Sequence, residues 1–274
     1  MNTELIRLDN ISFAYPDQTR ALEEISLILK RGGRYALAGH NGAGKTTLFL
    51  LLTAILQPQS GVISLGGEPY SYKTKPLREL RRRVGLVMQN PDWQLFNPTV
   101  EREIAYGLYN LGLPQAEISR KTAAMLELFG LQEVREKPPH FLSYGQKKKV
   151  CLAAILAVEP EVLILDEPTA GLDLAQQEKL LTYLENLNGI TVLIATHDLE
   201  FAYAFTSDWL ILEKGRLVFN GSLPVADLIQ QERFLPPVLK LEKALIKSGR
   251  IEPADQILNS TDKLINHILQ KVQP

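Results

Sequence analysis

Apolar and polar residues alternate loosely over 4–12 and then reach Phe13 and Tyr15, the pattern of a strand buried on one face. Pro16-Asp17 makes a turn. Ile25 to Leu29 reads as a second strand, closed by Arg31-Gly32-Gly33, and Arg34 to Ala38 as a short apolar third. Glycine-rich Gly39 to Gly44 follows, and Thr46 to Leu56 has the density of a buried helix. Val62 to Leu65 lies between glycines as another strand, with Gly66-Gly67 as its turn.

Past a stretch rich in Lys and Arg (73–83), Val84 to Met88 predicts a strand ending at Gln89. From Asn90 to Leu142 the pattern becomes helical, with loops at Pro91, Pro98, Pro114 and Pro138-Pro139. Helical spacing runs over 101–112, 115–130 and 144–158. Glu161 to Leu165, apolar after its glutamate, and Ile190 to Ala195, apolar but for Thr191, read as strands, and Lys214-Gly215 joins two short strands as a hairpin. After Gly221 only helical pattern remains, over 225–233, 237–248 and 254–271. The expected fold is therefore α/β, with helices inserted at about 90–145 and appended after 222.

Composition narrows the function. Hydrophobic content is 45% and charged content 22%, ordinary for a globular chain. Thirty basic residues face 31 acidic ones, a net charge of −1, so no basic field exists for bulk nucleic-acid binding and no nucleic-acid partner is expected. A single cysteine, Cys151, forms no internal disulfide and points to a reducing compartment. The longest apolar runs, Val150 to Val158 and Leu48 to Leu56, are about half the ~20 residues that span a bilayer. The first residues lack a basic start and apolar core, so no signal peptide is expected.

The strongest chemical signal is Gly39-His40-Asn41-Gly42-Ala43-Gly44-Lys45-Thr46, which fits the phosphate-binding pattern G-x-x-x-x-G-K-[ST]. Its glycines let successive backbone N–H groups point at phosphate oxygens. Lys45 would reach the β- and γ-phosphates and Thr46 would hold Mg²⁺. Thr47 continues the binding helix, whose N-terminus adds its dipole. Further on, Val162-Leu163-Ile164-Leu165 ends in Asp166-Glu167. A buried strand thus places two carboxylates where α/β sheets bind ligands. Asp166 would contact Mg²⁺, and Glu167 would act as general base on the attacking water.

Leu142-Ser143-Tyr144-Gly145-Gln146 resembles the signature of ATP-binding cassette (ABC) ATPases, usually Leu-Ser-Gly-Gly-Gln. Other family stations occur in order around it. Tyr15 matches the adenine-stacking aromatic, and Gln89 the glutamine that senses the γ-phosphate and Mg²⁺. Ala170-Gly171-Leu172-Asp173 matches the D-loop, and His197 the switch histidine. Tyr144 replaces the signature's first glycine. A positive φ there would strain a tyrosine by ~1–3 kcal/mol, so Ser143 and Gly145 are expected to carry the phosphate contacts while residue 144 tolerates a side chain. Asn90-Pro91-Asp92-Trp93-Gln94-Leu95-Phe96 and the Tyr144-Gly145-Gln146-Lys147-Lys148 form are similar to energy-coupling-factor ATPases, which power bacterial vitamin and cobalt/nickel uptake.

The resemblance covers about residues 4–222 and implies a P-loop NTPase (ABC ATPase) core on a mainly parallel sheet, with an antiparallel β subdomain, an inserted helical subdomain and a C-terminal helical extension. It divides the chain into an ATPase domain (1–222) and the extension (223–274). It implies ATP and Mg²⁺ as cofactors, with Thr46, Gln89 and Asp166 around the metal. It also implies a nucleotide sandwiched between two subunits, Ser143, Gly145 and Gln146 acting in trans beside Asp173. Expected partners are a second ATPase subunit (an identical chain or a close paralogue), a transmembrane coupling component and a substrate-binding membrane component, with this subunit peripheral on the cytoplasmic side of the cell membrane. Two other classes fit the sequence less well. A DNA-repair cassette needs a long coiled-coil insertion and a ribosomal one a second cassette, and neither is present. A regulatory ATP-binding module usually loses the glutamate or histidine, and Glu167 and His197 are both here.

Overall fold

Every strand of the central sheet except its last is parallel, and the chain ends that matter lie along one edge of it. The computed structural model describes residues 3–206, 208–222, 237–248, 265–266 and 269–270. An antiparallel sheet forms first, from β1 (Glu4–Ala14), β2 (Arg20–Lys30), β4 (Ser60–Leu65) and the short β5 (Glu68–Pro69), in the order β2-β1-β4-β5. β3 (Arg34–Ala38) leaves it for the second sheet, which it shares with β6 (Val84–Val87), β7 (Val162–Asp166), β8 (Thr191–Ala195), β9 (Asp208–Glu213) and β10 (Arg216–Ser222). The order there is β10-β9-β3-β8-β7-β6; only β9/β10, the hairpin at Lys214-Gly215, is antiparallel.

Period-two alternation divides the core. Leu163 and Leu165 of β7 face one apolar cluster, and Val162 and Ile164 face another. The first cluster holds the helices α3 (Val100–Asn110), α4 (Gln115–Leu128), α5 (Tyr144–Leu156), α6 (Leu174–Glu185) and α7 (Leu199–Phe205). The second holds α1 (Lys45–Leu52) together with the inward faces of β1, β2 and β4. Burial on both faces is why β7 and β8 read as unbroken apolar runs.

Several boundaries differ from the expected ones. α1 stops at Leu52, not Leu56: the Thr53 hydroxyl donates back to the Phe49 carbonyl, and Ala54 turns left-handed at φ +51°. α6 and α7 were not anticipated. Each is capped by an aspartate, Asp173 accepting from Gln176 N and Asp198 from Phe201 N. The lysine- and arginine-rich stretch forms α2 (Thr74–Arg83), and α8 (Pro237–Lys247) occupies the second of the three expected C-terminal helices. The expected helix at 225–233, and that at 254–271 apart from 265–266 and 269–270, which are helical, lie outside the described residues.

Candidate functional site

Four adjacent parallel strands end side by side, and each delivers a predicted residue. The phosphate loop leaves β3, His197 follows β8, Asp166 and Glu167 end β7, and Gln89 follows β6. Gly39, His40, Asn41, Gly42, Ala43 and Gly44 curl between β3 and α1, with Gly42 at φ +78° and Gly44 at φ +104°. Gly44 has a second reason to be glycine, because a Cβ there would lie 2.5 Å from the Ala21 carbonyl. Lys45 is buried and folds over the loop, donating to the carbonyls of Gly39 (2.6 Å) and His40 (3.3 Å). Thr46 donates to Asp166 Oδ2 at 3.1 Å across the loop. Tyr15, half-buried at the end of β1, meets the Thr47 hydroxyl at 3.0 Å, which sets its ring beside the loop.

Glu167 is the most constrained residue in the group. It is buried, sits at φ +48° without being glycine, and donates its backbone N–H to Ala195 O at 2.8 Å. Its Oε2 accepts from the His197 backbone N–H at 3.1 Å. Its Oε1 has no hydrogen-bond partner, although His197 Nε2 stands 3.3 Å away. The imidazole is instead directed at Asn41 Oδ1, 2.8 Å distant. A buried carboxylate oxygen left without a donor, on a strained backbone, is an exception in a folded chain that calls for an explanation.

Charge is concentrated here at some energetic cost. Burial pushes the Lys45 ammonium down, against the pull of the Glu167 and Asp166 carboxylates. Burial pushes Asp166 up, against its bond from Thr46. Lys148, near the start of α5, is 3% exposed and reaches the Glu167 carbonyl with its ammonium. Burial brings it down to about 8. A lysine on an apolar helix flank was the available signal for this, since Val150 to Ala153 around it are all core.

The signature lies at the start of α5. Ser143 is the exposed N-cap, its hydroxyl accepting from Gln146 N while Gln146 Oε1 accepts from Ser143 N, a complete capping box. Tyr144 is the first helical residue and is not among the residues with positive φ, so the replaced glycine brings no backbone strain. Gly145 faces Gln176 of α6; a Cβ there would lie 3.1 Å from the amide oxygen. Among the described residues no hydrogen bond joins Ser143, Gly145 or Gln146 to the phosphate loop. Within one chain, then, the expected site comes together as two separate halves.

After Gln89 the chain makes a short 3₁₀ turn, Pro91–Trp93. Three apolar residues of this segment part company: Leu95 packs on the core, while Trp93 is 71% and Phe96 66% exposed. They border a groove of about 840 Å³ with Tyr72, Leu77, Arg81 and Tyr106. The segment is held from beneath. Gln94 accepts from Met88 N and donates to Leu86 O, both at 2.8 Å. Buried Glu103 accepts from Phe96 N and Asn97 N.

The ABC transporter family profile matches residues 22–170. The energy-coupling factor transporter ATP-binding protein EcfA of Methanocaldococcus jannaschii is 38% identical, over 95% of this chain and 91% of the relative. The cobalt import ATP-binding protein CbiO of Rhodobacter capsulatus is 39% identical over 96% of each. Among solved structures, cbiO1 of Clostridium perfringens, described as part of the ABC transporter complex cbiONQ, superposes with a TM-score of 0.75 at 35% identity, over 90% of this chain and 98% of that one. A dimeric ATP-binding cassette in a post-hydrolysis state with ADP and Pi superposes at 0.73 and 25% identity, over 81% of this chain and all of that one.

Proposed function

This chain belongs to the ABC transporter family as an ATP-hydrolysing subunit of the energy-coupling-factor type, and we propose that it powers uptake of a transition-metal ion, cobalt foremost, or of a vitamin. The observation that carries the catalytic part is the orphaned Oε1 of buried Glu167, aimed beside the phosphate loop. In this reading Lys45 leaves the Gly39 and His40 carbonyls for the β- and γ-phosphates, and the backbone of Gly39 to Gly44 encloses them. Tyr15 stacks on adenine. Glu167 accepts a proton from the attacking water, and His197, oriented by Asn41, sits over the same point. Thr46 and Asp166, already 3.1 Å apart, with the exposed Gln89, offer hard oxygens of the kind Mg²⁺ takes. When bound, the ion neutralises phosphate charge.

The two half-sites of one chain are complementary to those of another. A second copy, or a close paralogue, lends Ser143, Gly145 and Gln146 to close over the nucleotide, with Asp173 beside them. Residues 1–222 form the ATPase domain and 223–274 an extension. The groove at Trp93 and Phe96 receives a helix of the transmembrane coupling component, which works with a substrate-binding membrane component. No described helix is long and apolar enough to cross a membrane. The subunit works peripherally, on the cytoplasmic face.

Glu167→Gln tests the core of this reading. It should bind ATP but not turn it over, because an amide cannot accept the proton. With ATP and Mg²⁺ it should then accumulate as a dimer in size-exclusion chromatography, and Ser143→Arg should remove that dimer. Hydrolysis at the parental rate by Glu167→Gln would falsify the general-base assignment. For the cargo, co-expression with metal-type and with vitamin-type membrane components, followed by cobalt or vitamin uptake with a Lys45→Ala control, separates the two.

A further inference from the structure

Tyr144 stands where the family signature has glycine, and its side chain makes contacts that glycine cannot. Its hydroxyl donates to the Gln89 carbonyl at 2.8 Å. Its ring lies against Gly171, where a Cβ would come within 2.6 Å of Cδ1 and 2.8 Å of Cε1. One turn along α5, the Lys148 ammonium is 5.5 Å from the ring centroid and bonds the Glu167 carbonyl. A second tie runs parallel to the first: Lys147, also in the first turn of α5, pairs with Asp92 at 2.7 Å. The residue next to Ser143 is thus fastened to the segments that follow β6 and β7.

We propose that Tyr144 is a positioning residue that links the half-site where this chain holds its own nucleotide to the signature half-site that it lends to a second copy. The inference rests on the sandwich reading above. In that arrangement Gln89 and Glu167 serve one nucleotide and Ser143 the other, so a contact between Gln89 and Tyr144 joins the two sites through one side chain. A displacement of the Gln89 backbone by its own nucleotide either carries the N-terminal turn of α5 with it or breaks the 2.8 Å bond. The ring against Gly171 transmits the same movement to the D-loop. Gly171 sits at φ +74° with no side chain between its backbone and the ring, so the D-loop packs directly on Tyr144. Coupling of this kind requires a physical link between two sites, and its evidence is energetic, not spatial.

The test is steady-state ATP hydrolysis by the full chain as a function of ATP concentration. Tyr144→Phe removes the bond to Gln89 and keeps the ring on Gly171; Tyr144→Gly removes both. Tyr144→Phe should lower kcat five- to tenfold with KM within twofold, and bring the Hill coefficient from above 1 in the parent down to 1. Tyr144→Gly should lower kcat further, with the Hill coefficient again at 1. A double-mutant cycle adds the D-loop contact: Gly171→Ala should cost several-fold more activity beside Tyr144 than in the Tyr144→Gly background, where the clash is gone. Unchanged kcat and Hill coefficient in both variants, a parental Hill coefficient of 1, a rise in KM alone, or additivity in the cycle would each overturn the proposal. ATP-dependent dimerisation, read in the Glu167→Gln background, keeps the premise separate. If Glu167→Gln alone stays monomeric, the sandwich of identical chains fails and takes this inference with it. If it dimerises while the Tyr144 variants behave as parent, only the inference fails.

Discussion

Lys148→Met should yield a more stable and less active chain. The ammonium is 3% exposed and anchors the Glu167 carbonyl. Burial holds its pKa at about 8 in the folded chain against 10.5 for an ordinary lysine, even with the Glu167 and Asp166 carboxylates pulling it up. The folded pKa is the lower one, so between about pH 8 and 10.5 the unfolded chain binds a proton that the folded chain releases, and stability rises with pH through that window. Below pH 8 both states are protonated and the whole cost of the buried cation is present. At ~1.4 kcal/mol per pH unit that cost is about 3 kcal/mol. Methionine has nearly the same length and relieves it, but gives up about 2 kcal/mol for a buried hydrogen bond from a charged donor. The variant should therefore gain about 1 kcal/mol at pH 7, and the gain should vanish by about pH 9. Urea unfolding of the nucleotide-free chain at pH 7, 8, 9 and 10 measures it. Activity should move the other way, because Glu167 at φ +48° is held in a conformation that costs ~1 kcal/mol or more for a side chain with a Cβ. Without its anchor the carboxylate should drift, and kcat should fall tenfold or more. A variant less stable than the parent at pH 7, or a stability difference that ignores pH, would refute the account of the buried cation.

Burial pushes the Cys151 thiol up to about 12, so a maleimide at pH 8 should label the folded chain slowly and the urea-unfolded chain at the rate of a free thiol. Asn41→Ala removes the 2.8 Å partner of His197 Nε2 and should lower kcat about tenfold while ATP still drives dimerisation of the Glu167→Gln background. Trp93→Glu with Phe96→Glu places charge on the two exposed aromatics of the groove; ATP hydrolysis by the isolated subunit should persist while co-purification with the membrane component is lost. Surviving complex formation in that variant would move the docking surface elsewhere.

The phosphate loop, the Asp-Glu strand and the histidine were legible because each lies at the end of an apolar strand, and β3, β7 and β8 announce themselves as unbroken apolar runs. α6 was not, although it is a full helix. Half of its residues are apolar but only Leu180 and Leu184 are buried, and its start is set by the side chain of Asp173, already spoken for as part of the D-loop motif. α7 is two turns long, too short for a 3.6-residue period to declare itself. Tyr144 looked like a matter of backbone strain because its position was compared with a glycine. In the folded chain it is the first residue of a helix, where any residue is at ease, and what distinguishes it is where its hydroxyl goes.

Gln94 and Asp92 show why residue type and exposure alone mislead around a docking segment. Both are polar residues between Trp93 and the prolines, and a charge swap at them looks like a harmless way to probe the groove. Yet Gln94 bridges Met88 N and Leu86 O, substituting for a strand partner at the edge of β6, and Asp92 is the acceptor for Lys147. A glutamate at 94 could still accept from Met88 but would set a carboxylate oxygen against the Leu86 carbonyl, and an arginine at 92 would face Lys147. Either change acts on β6 and α5 before it acts on any partner. The side chains that hold the segment point inward and are amides and carboxylates, Gln94 and Glu103; those left outside are aromatic, Trp93 and Phe96. That inversion is what the proposed docking surface requires: polar groups satisfy the irregular backbone from within, and the apolar area of Trp93 and Phe96 stays exposed.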